Sequence, residues 1–518
     1  MAVKKTKRAA AGRKTAPGKK PGATKRRAAR AKPPERPWGL WTLVALLAVA
    51  VLRLGINALD LVPVHFDEGQ YWAYGQELAA GHFSKPPLVG WIIYATTLVG
   101  GDTTFALRIG AVAAHALTAW FIYLAAASLW DGRTGFWAAL GFTAAPGVTV
   151  SAMIMTTDPV MMVGWAIALY AWAKAAAAKD WPTARPWWIL LGAAIGLGML
   201  AKYTALAFAA GAIGYGLFSA RSRDWRGTAL AVVAGLVVFS PNLAWQVAND
   251  WPTVGHVAED AVPPGERYNF GKLAEFLGAQ LGVIGPVWFL GMVLALLAMR
   301  RAEADWRLRM IGWQTGALLV AMAALAFWTR AQPNWAAPAY VAGSILAARW
   351  FLTRSARWAL PAQTGIGAVA ALALYGAAWA YAAYPGDLPR GPDPFKKMRL
   401  SEPFCAPALA AMAEEGAEVL LSDDRRRLSE CMFQGSLTFQ DIAIWNDDVW
   451  PENHHEMVAT LQPEDHRPMI WAVLLPEAAD YITQRFESAR EIETGRFETH
   501  AGRTFGYSIW LVEGFKDY

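Results

Sequence analysis

Long apolar runs alternate with short polar punctuation from residue 38 to about residue 384, and each run approaches the ~20 residues that carry a helix across a bilayer. The pattern predicts spans near 38–59, 104–130, 136–155, 159–178, 187–201, 203–219, 228–247, 273–299, 310–329, 336–352 and 358–384. From about 385 the pattern changes. Short apolar runs such as "AEVLLS", "MIWAVLLP" and "FGYSIWLV" alternate with helical stretches such as "PFCAPALAAMAEEG" and "EAADYITQRFESA", which predicts a small soluble α/β domain over 385–518. The expected fold is thus an α-helical polytopic membrane protein of about 11 transmembrane helices with a C-terminal soluble α/β domain.

Composition agrees: 55% of the 518 residues are hydrophobic, 17% are charged and 27 are Trp. Residues 1–37 stand apart, with 14 Lys and Arg against the single acid Glu35. Such a segment cannot bury a core, so a disordered basic cytoplasmic tail near anionic lipid is expected, in preference to a nucleic-acid-binding arm. The first apolar run is expected to be a retained anchor, because no small-residue cleavage site follows it. With the tail inside, the loops assigned to the inner face carry 14 basic residues and the outer segments six, which predicts a cytoplasmic N-terminus and an outer C-terminal domain. Both cysteines, Cys405 and Cys431, fall in that domain, where a disulfide and two separate helix-borne thiols are both compatible with the sequence.

The candidate chemistry collects at the predicted outer ends of the spans. "HFDEGQYW" places Asp67 and Glu68 after the first span, and "TTDPVMM" places Asp158 at the start of another. Each has an ordinary structural reading: Asp67 as an N-cap with Gln70 three residues on, Glu68 solvated at the interface, and Asp158 as an N-cap before Pro159. Lys85 in "SKPPLVGW", Lys202 and Tyr203 in "AKYTAL", Arg267 in "PGERYNF" and Arg330 in "FWTRAQPNW" fall at the same predicted face, with Tyr71 and His256 as further site-lining candidates. Ionisable groups at such positions are costly unless they face one another or a cavity. Acids and cations on one membrane face suit a lipid-linked phosphate. No nucleotide-sugar glycine loop or Asp-x-Asp motif is present, which disfavours a soluble nucleotide-sugar transferase.

The outward "DE", the "KPPL.W" that follows, "TDP", "KYTAL", "SPNLAWQVANDW" and "QPNWAAPAY" together resemble the bacterial branch of the protein O-mannosyltransferase group, which includes the lipid A aminoarabinose and galacturonic acid transferases. The resemblance covers roughly 38–350 and departs from the usual pattern at Gln332, where an acid is more usual. It implies the glycosyltransferase C superfold in the cytoplasmic membrane. It also implies transfer of a sugar from a polyprenyl phosphate donor to an acceptor hydroxyl on a lipid A, another glycolipid, a polysaccharide or a protein. On that reading Asp67 is the base, Glu68 orients the acceptor or Asp67, and Asp158 completes the acidic side by binding the sugar, sharing a proton or helping to hold a divalent metal. Lys85, Lys202, Arg267 and Arg330 balance the departing phosphate. No cofactor is implied with certainty and no metal-ligand set is evident. The alternative class is a secondary transporter or lipid flippase, but such proteins usually carry inverted repeats with a site near the midplane, and no repeat is evident.

Overall fold

The computed structural model describes residues 36–219, 224–255, 268–300, 305–447, 450–474 and 483–518. Almost all of the basic tail lies outside them, as do His256 and Arg267. From Trp38 the chain is helical: α1 (Trp38–Asn57), α2 (Phe66–Glu77), α3 (Leu88–Gly100), α4 (Thr104–Leu129), α5 (Gly132–Thr143), α6 (Pro146–Ser151), α7 (Thr157–Ala177), α8 (Trp181–Ala201), α9 (Phe208–Phe218) and α10 (Trp225–Ala248). There follow α11 (Phe270–Ile284), α12 (Pro286–Ala298), α13 (Trp306–Trp328), α14 (Ala339–Thr353) and α15 (Ala359–Ala383). Among the described residues seven of these are long and apolar enough to cross a membrane, or eight if α11 and α12, bent by 113°, form one span.

The protein is a multi-pass membrane protein. Helix α7 is the most enclosed span, whereas α1, α10 and α15 expose most of their apolar surface. Val51 is 69% and Val237 67% exposed, positions that lipid would cover.

The predicted spans that fall short are broken by particular residues. The 136–155 run divides where Pro146 begins a new helix after Ala145. Polar groups of α1 meet the carbonyls around that break: Arg53 Nη2 donates to Thr143 O at 2.8 Å and Asn57 Nδ2 to Ala152 O at 3.1 Å. In the 273–299 run, Gly285 takes φ +91° ahead of Pro286. Gln363 of α15 satisfies both sides of the break, donating to Ile284 O and accepting from Trp288 N–H, as unpaired backbone within a bilayer requires. The 203–219 run opens as a 3₁₀ turn, Tyr203–Ala207, before α9.

The segment α2–α3 stays at one face. Its two ends and middle all bond to the C-terminal part of the chain: Arg425 Nη1 to Gln70 Oε1 (3.3 Å), His454 Nε2 with Glu77 Oε2 (3.1 Å) and Ser436 Oγ to Asp102 Oδ2 (2.9 Å).

That C-terminal part contains α16 (Ser401–Glu415), α17 (Arg425–Gly435), α18 (His454–Ala459) and a five-stranded sheet of order β2-β1-β3-β5-β4. Strands β1 (Val419–Ser422), β2 (Ile442–Ile444) and β3 (Met469–Val473) are parallel and buried throughout, while β4 (Phe486–His500) and β5 (Arg503–Phe515) form an antiparallel hairpin. "AEVLLS", the described part of "MIWAVLLP" and "FGYSIWLV" contain strands as expected. Of the predicted helical stretch "EAADYITQRFESA", residues 477–482 lie outside the described residues, and its last four open β4, where Phe486 pairs with Phe515 across the hairpin. Cys405 and Cys431 are joined in a disulfide that ties α16 to α17.

Candidate functional site

The first turn of α2 gives the paired acids different surroundings. His65, not Asp67, is the N-cap. Its Nδ1 accepts the Asp67 N–H at 3.2 Å, and Glu68 Oε2 accepts the His65 N–H at 3.0 Å. The expected Asp67–Gln70 capping box is thus replaced by a His65–Glu68 box two residues earlier, and the Asp67 carboxylate takes no part in it. His65 is held neutral by burial, which outweighs the opposing charges of Asp67 and Glu68. The one ionisable side chain within ion-pairing distance of Asp67 among the described residues, His65 at 3.6 Å, is therefore no counter-charge.

Glu68 turns the other way. It is completely buried rather than solvated, and Arg108 of α4 grips it with two bonds, Nε to Oε1 at 2.9 Å and Nη2 to Oε2 at 2.8 Å. Met155 N–H adds a third at 2.8 Å. Arg108 spends its remaining donors on Val62 O and Pro63 O. Every strong acceptor direction of Glu68 is taken, which corrects the solvated reading and, of the two expected roles, suits orienting Asp67 better than orienting the acceptor. It fixes the turn that presents Asp67, locking α2 to α4 and to the segment before α7.

Lys85 lies on the loop between α2 and α3, ahead of Pro86 and Pro87. Helix α10 and the residues after it hold this loop: Asn242 Nδ2 donates to Ala80 O at 2.9 Å, and Thr253 Oγ1 to Phe83 O at 2.9 Å. Gln246 bridges Thr253 and the Tyr203 hydroxyl, which also meets Asn242. Tyr203 therefore belongs to the lattice that braces the loop. Among the described residues the Lys85 ammonium has no ion pair. Burial lowers its pKa, the charges of Asp67 and Asp158 work against that fall, and those of Lys202 and Arg425 add to it.

Asp158 and Lys202 meet directly, Nζ to Oδ1 at 2.7 Å, and Asn334 Nδ2 holds the other carboxylate oxygen at 2.8 Å. Asp158 is not the N-cap of α7. Thr156 is, and Asp158 is the second helical residue, where a carboxylate still favours the helix N-terminus. Tyr71, fully buried on α2, has its pKa raised by desolvation first and then by Asp67, Tyr74 and Asp158. Two residues from separate elements, Lys85 and Tyr71, thus both feel Asp67, Asp158 and Arg425. Arg330 is exposed and pairs with no carboxylate among the described residues.

Arg425 escaped the sequence reading. It sits in "DDRRRLSE", which reads as an ordinary solvated charge run, yet the first turn of α17 brings it to Gln70 and within the field of Lys85. Its neighbour Arg426 lies over the Phe66 ring at 5.5 Å. Close packing permits this docking: a Cβ on Gly69 would come within 2.2 Å of the Ser429 carbonyl oxygen.

A bundle of membrane helices, a helical pair carrying an aspartate with no charged partner among the described residues, and a small α/β unit bonded to that pair make up an architecture shared with polytopic membrane glycosyltransferases of the type C superfold. The fold matches the crystal structure of ArnT from Cupriavidus metallidurans bound to undecaprenyl phosphate, with a TM-score of 0.64 over 91% of this chain and 98% of that one, at 17% identity. Residues 84–245 match the family model described as dolichyl-phosphate-mannose-protein mannosyltransferase. The lipid A galacturonosyltransferase RgtD of Rhizobium johnstonii is 30% identical over 396 residues, 76% of this chain and 82% of that protein. The undecaprenyl phosphate-alpha-4-amino-4-deoxy-L-arabinose arabinosyl transferase of Pseudomonas aeruginosa is 32% identical over 184 residues, 35% of this chain and 33% of that one. The chain belongs to this family of membrane glycosyltransferases, as its motifs implied.

Proposed function

We propose that the protein moves a sugar from a polyprenyl phosphate donor to a hydroxyl of lipid A at the outer face of the bacterial cytoplasmic membrane, in one inverting displacement. The observation that carries this reading is the Lys85 ammonium: half-buried, without an ion partner among the described residues, and close enough to Asp67 to feel its charge. A cation left this way favours an anionic ligand, and the donor phosphate supplies one. The names of the two relatives support a lipid A acceptor and an undecaprenyl phosphate donor.

In the step itself the acceptor oxygen attacks the anomeric carbon while the bond from that carbon to the phosphate oxygen breaks. The phosphate leaves with the bonding electrons, and the acceptor proton passes to the Asp67 carboxylate, general-base work that typically contributes ~10²–10⁴-fold. Lys85, with Lys202 and Arg425 behind it, meets the charge gathering on the phosphate. Asp158 holds Lys202 and completes the acidic side. Glu68 acts as a positioning residue, and Tyr71 and Tyr203 line and brace the site. An apolar groove of about 670 Å³ between α8, α9 and α10, lined by Leu206, Ile213, Leu217, Leu236, Phe239 and Leu243, suits the isoprenoid chain. Phe239 at its edge packs on Tyr203.

The same proposal divides the chain into a cytoplasmic tail (1–37), a membrane domain (38–384) and an outer α/β domain (385–518), supported by the 14 to six bias of basic residues. Reporters fused before Met1 and after Tyr518 should report inside and outside respectively, and two reporters on one side would overturn the orientation. For the activity, the full-length protein in nanodiscs with an undecaprenyl phosphate sugar should add one sugar mass to lipid A. Unmodified lipid A across galacturonosyl and aminoarabinosyl donors would remove lipid A as the acceptor.

A further inference from the structure

We propose that Glu77, His82 and His454 form a site for a divalent transition-metal ion, zinc by its donor set, which pins the Lys85 loop to the C-terminal α/β unit. The three residues come from separate places: Glu77 ends α2, His82 lies on the following loop, and His454 begins α18. One ligand atom from each lies within 4.8 Å of the others. His454 Nε2 is 3.1 Å and His82 Nε2 4.0 Å from Glu77 Oε2. Ligands at ~2.0–2.1 Å on a tetrahedron stand about 3.3 Å apart, so an ion would need to draw the group in by less than about 1.5 Å. Two imidazoles and one carboxylate, with water in the fourth place, are zinc's usual donors.

His82 gives the independent reason. It is completely buried, and although the Tyr74 backbone lies close enough to bond weakly to the ring, neither ring nitrogen makes a well-formed hydrogen bond. A buried polar group left so is costly, and an ion removes the cost. Its ring is held in place, stacked on Tyr74 at 3.9 Å and 8°, with His454 edge-on at 5.0 Å and 87°. In the empty site His454 Nδ1 accepts the Phe83 N–H at 3.4 Å while Nε2 faces Glu77. Ligation through Nε2 moves the ring proton to Nδ1 and gives up that long contact. Glu77, 30% exposed along its side chain, offers the way in.

The consequence reaches the reaction site through the backbone. His82 and Lys85 exchange two bonds, His82 N to Lys85 O at 3.0 Å and Lys85 N to His82 O at 3.4 Å. An ion on His82 therefore fixes Lys85 relative to α2 and Asp67 without touching substrate, and the inference stands whether or not the acceptor is lipid A.

The test is metal content of the full-length protein, purified in detergent with any affinity tag removed, loaded with zinc and dialysed. Wild type should retain about one zinc per chain, and His82→Gln and His454→Gln fewer than about 0.1 each. A chelator should lower the melting temperature of wild type and leave that of either variant unmoved. Zinc K-edge absorption of wild type should show two imidazoles in a nitrogen and oxygen shell, a readout that needs no variant to fold. Zinc-free wild type after loading, stoichiometric zinc in both variants, or a shell without imidazole would each overturn the site.

Discussion

The two sides of helix α2 carry neighbouring carboxylates into opposite situations. On the core side Glu68 accepts four bonds, from Arg108 twice, Met155 and His65, and has no exposed surface. On the site side Asp67 keeps its carboxylate out of the cap, beside a neutral histidine and in reach of the field at Lys85. A carboxylate saturated by a buried guanidinium is held immobile, so it serves as a fixed joint. One that is partly exposed and uncommitted can take a proton and release it. One turn of helix thus builds both the support and the reactive group.

The sharpest break of that comparison is at Asp67. Asp67→Asn should lower transfer by ~10²–10⁴-fold, the range for a lost general base, with folded yield and melting temperature near wild type; donor-dependent turnover and thermal unfolding measured on one preparation decide it. Glu68→Gln should do the reverse, destabilising the fold by about 3–5 kcal/mol because Arg108 is left as an uncompensated buried charge. A Glu68→Gln protein that melts normally and merely turns over slowly would place Glu68 in the chemistry instead.

Lys85 sharpens the site side. Lys85→Met keeps much of the stem and should reduce turnover by ~10²-fold, as removal of one preorganised electrostatic partner does. Burial disfavours the ammonium, so Lys85 loses its proton at lower pH than an ordinary lysine. The alkaline limb of kcat/KM should accordingly fall below the usual ~10.4 and vanish in Lys85→Met. The smallest effect is expected at Gly69, where Gly69→Ala forces a methyl against Ser429 O. Its cost should be about 1–3 kcal/mol, the range for overpacking, read as lower melting temperature with α17 lifted from α2.

The composition and the spacing of apolar runs were enough to determine that this chain is a membrane protein, where seven of its long spans lie, and that a small α/β unit follows. Those properties follow from bilayer thickness and from periodicities of 3.6 and 2, which act locally along the chain. Even the family was legible, because its motifs are short contiguous strings. Tertiary structure decided what one-dimensional spacing does not encode. The choice of His65 over Asp67 as cap is a shift of two positions, and the difference between a solvated and a buried Glu68 depends on Arg108, 40 residues away. The breaks at Pro146 and Gly285 persist because Arg53, Asn57 and Gln363 from other helices satisfy the freed backbone. Arg425 and His454 look like ordinary surface residues until α17 and α18 dock more than 350 residues from their partners Gln70 and Glu77. A buried charge or ring takes its role from whichever group the fold brings to it, and that pairing is set by packing rather than by sequence distance.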